Sequence, residues 1–341
     1  MTGKKKGLGF EIRPISHVLY STFNPEIRVW GPLIINKRNS PIFWPSPMSA
    51  GINYGLSVFE GMKAFRHKSG EIFLFRPRDH AERFCRSLRG LFMPEFPKLK
   101  FMRALYLLIT LNSRHVPKYR QGALYVRPIA WGNDKLGFGY DSMLSYTTAF
   151  WCSPVGNYYT EGLKPISVWL ARNITRAMPG GVGSCKASGN YEISRKAQLL
   201  AKEEGCQDAL FLDGRQKQYI EELGAANIFI VRDGTVYAPL TRDTVLSGIT
   251  RKSVANLAQF ELRRPFCAGD ISVESLLSAD EVFATGTAAV VTPIGKIKDG
   301  KKEYVVGSGQ AGPVTQKLYD LLTGIQYGDI EDKFGWLAKV T

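Results

Sequence analysis

The sequence lacks any apolar run long enough to cross a membrane. Its longest apolar stretch, residues 104–111, is far shorter than the roughly 20 residues that a transmembrane helix needs. Lysines occupy positions 4 to 6, but no apolar segment follows them, and Glu11 comes too early for an acid-poor transit peptide. The sequence therefore predicts no membrane span and a cytoplasmic location.

Cysteine and histidine are scarce and scattered. The five cysteines are odd in number and form no C-x-x-C motif, which argues against a disulfide framework or a zinc site. The four histidines are too far apart for a metal motif, and neither a P-loop nor a serine-hydrolase motif occurs. These residues are Cys85, Cys152, Cys185, Cys206, Cys267, His17, His67, His80 and His115.

Acidic residues are outnumbered by basic ones. The 341 residues include 45 Lys and Arg against 30 Asp and Glu, a net charge of +15. Such an excess fits nucleic-acid binding, anionic substrates or a solvated basic surface. The basic residues are dispersed and form no recognition motif, so nucleic-acid binding is not predicted. A basic nucleic-acid-binding scaffold without catalysis remains a remote alternative.

Length and composition predict two packed domains. The chain is 44% hydrophobic and 22% charged, which is ordinary for globular proteins, and it is too long for one average domain. No internal repeat or low-complexity tract is present, which argues against solenoids and propellers. A segment rich in Pro and Gly marks the junction. The predicted parts are a smaller first domain at 1–158, a linker region at 159–183, and a larger second domain at 184–341.

Hydrophobic periodicity predicts a mixture of strands and helices, an α/β (α+β) fold. Predicted strands include residues 72–75, 123–126, 166–171 and 209–212. Helical spacing of apolar residues predicts helices at 79–91, 192–204 and 248–259, and a last helix from residue 312. Asp233-Gly234 between apolar segments predicts a two-residue hairpin turn.

One glycine pattern suggests a dinucleotide site at first sight. Residues 307–312 match G-x-G-x-x-G between a predicted strand and the last helix. Too little chain follows to complete the βαβ unit that this fingerprint requires. We therefore interpret the segment as a loop before the last helix.

Lys186 lies among small residues and glycines just before a predicted helix. Such a setting can desolvate the amine and favour the neutral form that Schiff-base chemistry needs, although most loop lysines are solvated. Segments 222–229, 246–251 and 284–289 add a carboxylate, hydroxyls and a helix N-terminus that suits phosphate. An amine, an anion and a phosphate cup are what pyridoxal 5′-phosphate (PLP) requires.

The sequence resembles the class IV (fold type IV) PLP enzymes and, among them, the branched-chain aminotransferases. The resemblance extends from about residue 18 to residue 327. It rests on residues 54–65, 124–128 and 324–328 and on the segments around Lys186 and Glu222, all in the family's order. It implies a two-domain fold like that of D-amino-acid aminotransferase, PLP in the cleft between the domains, and a homodimer.

The resemblance also implies cofactor roles. Lys186 would hold PLP covalently and shuttle the proton between Cα and C4′, Glu222 would pair with the pyridine nitrogen, and Tyr191 would hydrogen-bond O3′. For Arg83 the alternative to phosphate binding is a helix-surface ion pair with Asp79. The residues assigned to the phosphate are Arg83, Ile249, Thr250 and Thr287.

Substrate roles follow from the same resemblance. Tyr54, Phe59, Tyr125 and Arg127 would line the pocket, with core packing as the alternative role for Phe59 above all. The N–H groups of Ala288 and Ala289 would bind the substrate carboxylate. The implied reaction transfers the amino group of leucine, isoleucine or valine to 2-oxoglutarate, giving branched 2-oxo acids and L-glutamate.

The alternatives within the class are D-amino-acid or (R)-amine transaminases and aminodeoxychorismate lyase. The segment Tyr125-Val126-Arg127-Pro128 argues against them, since it is similar to the branched-chain type of pocket. The chain departs from the animal-type enzymes at residues 289–292, where their C-x-x-C motif is absent. A thiol switch at that place is therefore not expected.

Overall fold

The computed structural model describes residues 8–13, 15–37, 46–133, 145–156 and 163–340. The chain packs as two compact units, the first comprising residues 1–158, 185–189 and 326–341, and the second residues 159–184 and 190–325. The basic residues 4–6 and residues 158–162, where the predicted junction begins, lie outside the described residues.

Most of the described chain lies in strands and helices. The strands are β1 His17–Asn24, β2 Val29–Trp30, β3 Ile34–Lys37, β4 Ser57–Phe59, β5 Met62–Arg66, β6 Ile72–Phe75, β7 Ala123–Gly132, β8 Tyr146–Val155, β9 Ile166–Ala171, β10 Asp208–Leu212, β11 Ile220–Leu223, β12 Asn227–Arg232, β13 Thr235–Pro239, β14 Phe266–Gly269, β15 Glu281–Gly286, β16 Val290–Asp299, β17 Lys302–Val305 and β18 Leu337–Lys339. The helices are α1 Ala50–Asn53, α2 Pro77–Gly90, α3 Lys98–Leu111, α4 Asn190–Glu203, α5 Ile249–Asn256, α6 Val273–Leu277 and α7 Pro313–Tyr327.

The first unit is built on one antiparallel sheet. Its strand order is β18-β6-β5-β7-β8-β1-β2, with β3 added to β1 and β4 added to β7. Alternation along the strands turns Met62, Val126 and Phe150 into the hydrophobic core, where Phe84 of α2 and Phe101 of α3 also lie. One face of the sheet is therefore core, and the other face is left for different side chains.

The second unit has a sheet of mixed direction. Its order is β11-β10-β9-β16-β15-β12-β13-β14, and an added pairing of β11 with β12 closes six of these strands into a ring. The register pair that closes the ring is Glu222 with Asn227. Strand β9 runs parallel to β10 and β16, whereas β15 is antiparallel to both of its neighbours. Val168, Leu210 and Ile228 lie in the core of this unit.

Several predicted elements are confirmed by the structure. Strands β6 and β9 have the predicted bounds. Helix α2 begins two residues earlier than predicted because Pro77 takes its first position, where a missing N–H costs little. At the predicted hairpin, Asp233 and Gly234 both have positive φ, as a type I′ turn requires. The predicted helix at 248–259 becomes a π turn from Leu257 onward.

The segment with Lys186 belongs to the first unit, whereas the sequence had placed it in the second domain. The backbone explains the difference, because Phe59 N–H donates to Lys186 C=O over 3.0 Å and Ser188 N–H donates to Ser57 C=O over 3.0 Å. The segment thus extends the edge of β4. Residues 326–341 also belong to the first unit, since β18 pairs with β6.

Residues 104–111, the longest apolar run, lie within α3. One face of this helix packs in the hydrophobic core of the first unit. Among the residues that the structure describes, no helix has both the length and the apolar character needed to span a membrane. No cysteine among them is in a disulfide.

Candidate active site

Helix α2 presents three residues, spaced i, i+4 and i+7, to the segment that carries Lys186. Ser87 Oγ accepts the Lys186 backbone N–H at 2.9 Å. The Arg83 charge acts on the Lys186 amine one turn earlier, and Gly90 lies against Cys185 one turn later. Residues at this spacing share one face of a helix, so α2 forms a continuous support for the segment.

We expect Gly90→Ala to destabilise the protein and to lower its activity. A Cβ at residue 90 would lie well inside van der Waals contact with Cys185 Sγ. Overpacking of this kind costs about 1 to 3 kcal/mol, which exceeds the gain in helix propensity of about 0.5 to 1 kcal/mol. Denaturant unfolding measures the first effect and turnover measures the second.

The matched control for Gly90→Ala is the double variant Gly90→Ala/Cys185→Ala, read beside Cys185→Ala alone. Removal of the sulfur should recover most of the lost stability, since the clash is with Sγ and not with backbone. Equal unfolding free energies for the wild type and Gly90→Ala would show that the segment yields freely at this point.

The Lys186 amine lies 4.6 Å from the centre of the Phe59 ring. Burial, aided by the nearby Arg83 charge and opposed by Glu60, lowers the pKa of Lys186 to about 8. The residue as a whole keeps partial exposure, although its amine is buried. Near neutral pH a far larger fraction of this amine is unprotonated than in an ordinary lysine, as a nucleophilic lysine requires.

Arg83 is buried in a charged cluster. Its Nε and Nη2 donate to the two oxygens of Glu60 at 2.6 and 2.9 Å, and His80 Nδ1 lies 2.7 Å from Glu60 Oε2. Burial would raise the pKa of Glu60, but Arg83 and His80 outweigh that effect and hold it below its usual range. The predicted alternative, a helix-surface pair of Arg83 with Asp79, is wrong, because Arg83 is buried and Asp79 accepts from Arg76.

Glu60 and His80 were missed in the sequence. The available signals were an acidic residue inside an apolar strand segment and a histidine three residues before Arg83 on one helix. A bidentate pair with a carboxylate fixes the plane of the guanidinium. Glu60 therefore fixes the orientation of the Arg83 guanidinium.

Arg127 projects from the sheet face opposite the first unit's core. Its guanidinium carbon lies 4.6 Å from the Phe59 ring centre and 5.3 Å from that of Tyr125, and Nη2 donates to Tyr125 Oη at 3.2 Å. Its Nε is buried and has no hydrogen-bond partner among the described residues. An unpaired buried donor on a cation is costly, which makes this place suitable for an anion. Phe59 thus lies against two cationic groups and is itself buried, so its ring is part of the packed interior as well as of this face.

Two further residues of this face were not predicted. Lys63 is the register partner of Tyr125, and burial lowers its pKa to about 8. The Phe10 ring lies 5.3 Å from Tyr125, edge to face, and 5.8 Å from the Lys63 amine. Tyr54, which was predicted to line the pocket, ends the short helix α1 and is 50% exposed.

Glu222 is buried in the second unit and surrounded by donors. Its Oε1 lies 2.8 Å from Arg176 Nη2 and accepts the Leu246 N–H at 3.3 Å. Its Oε2 accepts from Asn227 Nδ2 at 3.0 Å. The Glu222 carboxylate is therefore held in one orientation by donors from three separate segments.

The neighbouring Glu221 has different partners, as alternation along β11 requires. Its Oε1 accepts from Thr244 Oγ1 at 2.6 Å, and its Oε2 is buried with no hydrogen-bond partner among the described residues. Burial raises the pKa of Glu221 above its usual range. The two adjacent carboxylates therefore have distinct environments.

Helix α5 offers an N-terminus suited to an anion. Gly248 caps it without a side-chain hydrogen bond, no acidic residue occupies its first turn, and Ile249 and Thr250 open it. Such a terminus combines N–H donors with the positive end of the helix dipole. Thr287 lies in the turn between β15 and β16. This turn ends at Val290, whose φ of 59° is strained for a β-branched residue.

The predicted site residues divide between the two units. Those in the first unit are Tyr54, Phe59, Arg83, Tyr125, Arg127 and Lys186, and those in the second are Tyr191, Glu222, Ile249, Thr250, Thr287, Ala288 and Ala289. A buried amine of lowered pKa, a buried carboxylate and a helix N-terminus for phosphate are the groups that PLP needs. The residues present therefore fit this cofactor.

Comparison with known proteins decides the family. The sequence matches the family model of the class IV amino-transferases over residues 57–297. The chain belongs to this family. It is thus a PLP-dependent aminotransferase, and the predicted cofactor is confirmed at this level.

Named relatives cover most of the chain. It is 39% identical to branched-chain amino acid aminotransferase 2, chloroplastic, of Humulus lupulus over 87% of this chain and 72% of the relative. It is 39% identical to a probable branched-chain-amino-acid aminotransferase of Staphylococcus epidermidis over 86% and 84%. The fold is also similar to the crystal structure of the Escherichia coli branched-chain amino acid aminotransferase, with a TM-score of 0.82 and 29% sequence identity. The superposition covers 96% of this chain and 100% of the Escherichia coli chain. The predicted fold type IV architecture is confirmed.

Proposed function

We propose that this aminotransferase moves the amino group of leucine, isoleucine or valine to 2-oxoglutarate, producing branched 2-oxo acids and L-glutamate. The relatives named for this activity support the substrate class. The observation that carries the proposal is Arg127, whose buried Nε lacks a partner among the described residues while its guanidinium lies against Phe59 and Tyr125. One pocket must take an apolar side chain and a carboxylate in turn, and this face offers both aromatic surface and a cation.

The cofactor roles that we propose use groups already oriented by the fold. Bound PLP supplies an electron-accepting ring for the electron pair left on Cα when its proton departs. The Lys186 amine holds the cofactor and moves that proton. The Glu222 carboxylate accepts the N–H of the pyridine ring, and the Tyr191 hydroxyl donates to O3′. Arg83, fixed by Glu60, binds phosphate together with Ile249, Thr250 and Thr287.

The substrate roles follow the same division. We propose that the backbone N–H groups of Ala288 and Ala289 bind the α-carboxylate of the substrate. Tyr54, Phe59 and Tyr125 contact the apolar side chain. Arg127 binds the distal carboxylate of glutamate and 2-oxoglutarate, because a hydrogen bond from a charged group to a carboxylate is stronger than a neutral one.

We expect a panel of amino donors, each with 2-oxoglutarate, to identify the substrate class. Leucine, isoleucine and valine should react faster than alanine by about fourfold for each extra buried CH₂. D-Alanine and (R)-1-phenylethylamine should not react. Formation of the 2-oxo acid, or of the ketone from the amine, measures each rate, and faster turnover of D-alanine or the amine would assign the chain to another branch of class IV.

The same panel applied to Arg127→Met separates the two substrates. The KM for 2-oxoglutarate should rise about 10- to 160-fold, because a charged hydrogen bond of about 1.5 to 3 kcal/mol is lost, while the KM for leucine changes less. Lys63→Met is the matched variant, since Lys63 is a buried cation on the same sheet face. If only Lys63→Met impairs 2-oxoglutarate, the distal carboxylate binds the lysine.

Two further proposals concern the whole molecule. We infer a homodimer, and exposed apolar residues at the β2–β3 edge of the first unit, Ile27, Val29, Ile34 and Ile35, support a protein contact there.

We also propose a cytoplasmic location, for which the free cysteines are the support.

A further inference from the structure

Arg176 is a buried arginine in the loop that follows β9. Its side chain is 4% exposed, and Nη2 lies 2.8 Å from Glu222 Oε1. Nη1 donates to the Thr244 carbonyl at 2.9 Å, and Nη2 also donates to the Gly183 carbonyl at 3.3 Å. Arginine is rarely buried in full unless it is paired, so this loop holds its guanidinium specifically against the Glu222 carboxylate.

The second carbonyl partner connects Arg176 to the lysine segment. Gly183 lies three residues before Lys186 in the chain, and its neighbour Ser184 donates its N–H to the Asp243 carbonyl at 2.7 Å. Thr244, the first carbonyl partner, also donates its hydroxyl to Glu221. Arg176 therefore holds the loops around Glu222 in place and also acts on the Glu222 carboxylate through its own charge. A test must distinguish these two effects.

We propose that Arg176 is a positioning residue that keeps the proton on the pyridine nitrogen of the bound cofactor by holding Glu222 ionised. The proposal rests on the proposed pairing of Glu222 with that nitrogen. Two states compete there, a carboxylate facing a protonated nitrogen and a neutral acid facing a neutral nitrogen. In a buried site without further charge the neutral pair is favoured, because burial of charge is costly.

Arg176 reverses that preference. The guanidinium is in direct contact with the carboxylate. The proton of a pyridine nitrogen paired with that carboxylate would be farther from the guanidinium, because one further hydrogen bond would separate them. Since Coulomb energy falls with distance, attraction to the carboxylate exceeds repulsion of the protonated nitrogen. The ionised pair, with its electron-accepting pyridinium, is therefore the stable state while Arg176 is charged.

The experiment uses protein loaded with PLP labelled with ¹⁵N in the ring and follows the nitrogen chemical shift as a function of pH. Arg176→Gln removes the charge and keeps amide donors for the carbonyls of Gly183 and Thr244. The pH at which the nitrogen loses its proton should fall by about 1 to 3 pH units. Arg176→Lys keeps the charge without the planar fork and should lower it by less.

Arg172→Gln is the matched control. Arg172 opens the loop that carries Arg176. It forms a two-bond ion pair with Asp299 at 2.7 and 2.6 Å, but it is exposed. The ring nitrogen should titrate in this variant as in the wild type. The unloaded protein gives a second readout, since Arg176→Gln should lower the melting temperature at pH 8 and the added change Glu222→Gln should restore it.

Three outcomes decide the matter. Titration of the nitrogen as in wild type in both Arg176→Gln and Arg176→Lys overturns the role of Arg176. If Arg176→Gln does not yield folded protein, Arg176→Met takes its place because it also removes the charge; an unchanged midpoint overturns the role and a lowered one supports it. If Glu222→Gln leaves the nitrogen unchanged, the pairing of Glu222 with the cofactor fails, which is distinct from failure of Arg176 alone.

Discussion

Replacement of Lys186 by methionine is expected to abolish transamination and to make the unloaded protein more stable at neutral pH. We propose that this amine holds the cofactor and moves the proton, so turnover should fall by more than about 10³-fold. The stability gain has a separate cause, because burial lowers the pKa of Lys186 from 10.5 to about 8. The folded state therefore opposes the charge that the unfolded chain carries freely.

The sign of this effect fixes its pH window. Below pH 8 the folded protein must bury a charged amine or release its proton, so the full cost is present; it disappears as pH rises through 10.5. Methionine removes this cost in unfolding free energy, which is about 1 to 3 kcal/mol. We expect the lower end of the range because the residue is partly exposed. Melting temperatures of the two unloaded proteins should differ at pH 7 and converge near pH 10.5.

Lys63→Met is the control for the Lys186 prediction. Lys63 is buried and its pKa is also lowered to about 8, so its replacement should stabilise the protein in the same pH range. It should nevertheless retain a cofactor adduct that borohydride can fix. If the adduct persists in Lys186→Met and disappears in Lys63→Met, the cofactor lysine has been misassigned.

Glu222→Gln is expected to retain PLP and to lose at least about 100-fold in kcat. The amide cannot supply the negative charge that favours a protonated pyridine nitrogen, and it leaves the buried Arg176 without its carboxylate. About 100-fold corresponds to about 2.7 kcal/mol of transition-state free energy. Steady-state rates with leucine and 2-oxoglutarate measure the loss, and absorbance of the bound cofactor verifies loading.

The adjacent Glu221→Gln is the matched variant for Glu222→Gln. Its Oε2 lacks a hydrogen-bond partner among the described residues, and burial raises its pKa. A carboxyl group with a raised folded-state pKa costs stability once the pH exceeds that pKa, so the amide should be neutral or stabilising at pH 8. If Glu221→Gln impairs kcat more than Glu222→Gln does, the two residues exchange their proposed roles.

The sequence carried local information well and long-range information only through motifs. Hydrophobic periodicity located β6 and β9. The small residues around Lys186 indicated a desolvated amine suited to Schiff-base chemistry. Nothing local indicated that Glu60 would meet Arg83 and His80, or that Arg176 would meet Glu222, because charged residues have no periodic signal of their partners. The sequence-based assignment of Lys186 to the second domain was wrong for the same reason. The hydrogen bonds of its segment to β4 join distant parts of the chain.

The interleaving of the two units has a consequence for how the protein is made. During synthesis the first 158 residues emerge long before β18, whose residue Leu337 pairs with Phe75, and before the segment that extends β4. The edges of β6 and β4 in the nascent first unit therefore stay unpaired until those segments are synthesised. Exposed strand edges are sites of aggregation. Domains usually mature in order from the N-terminus; here the opening portion can complete its sheet only after residues 337–339 have been synthesised.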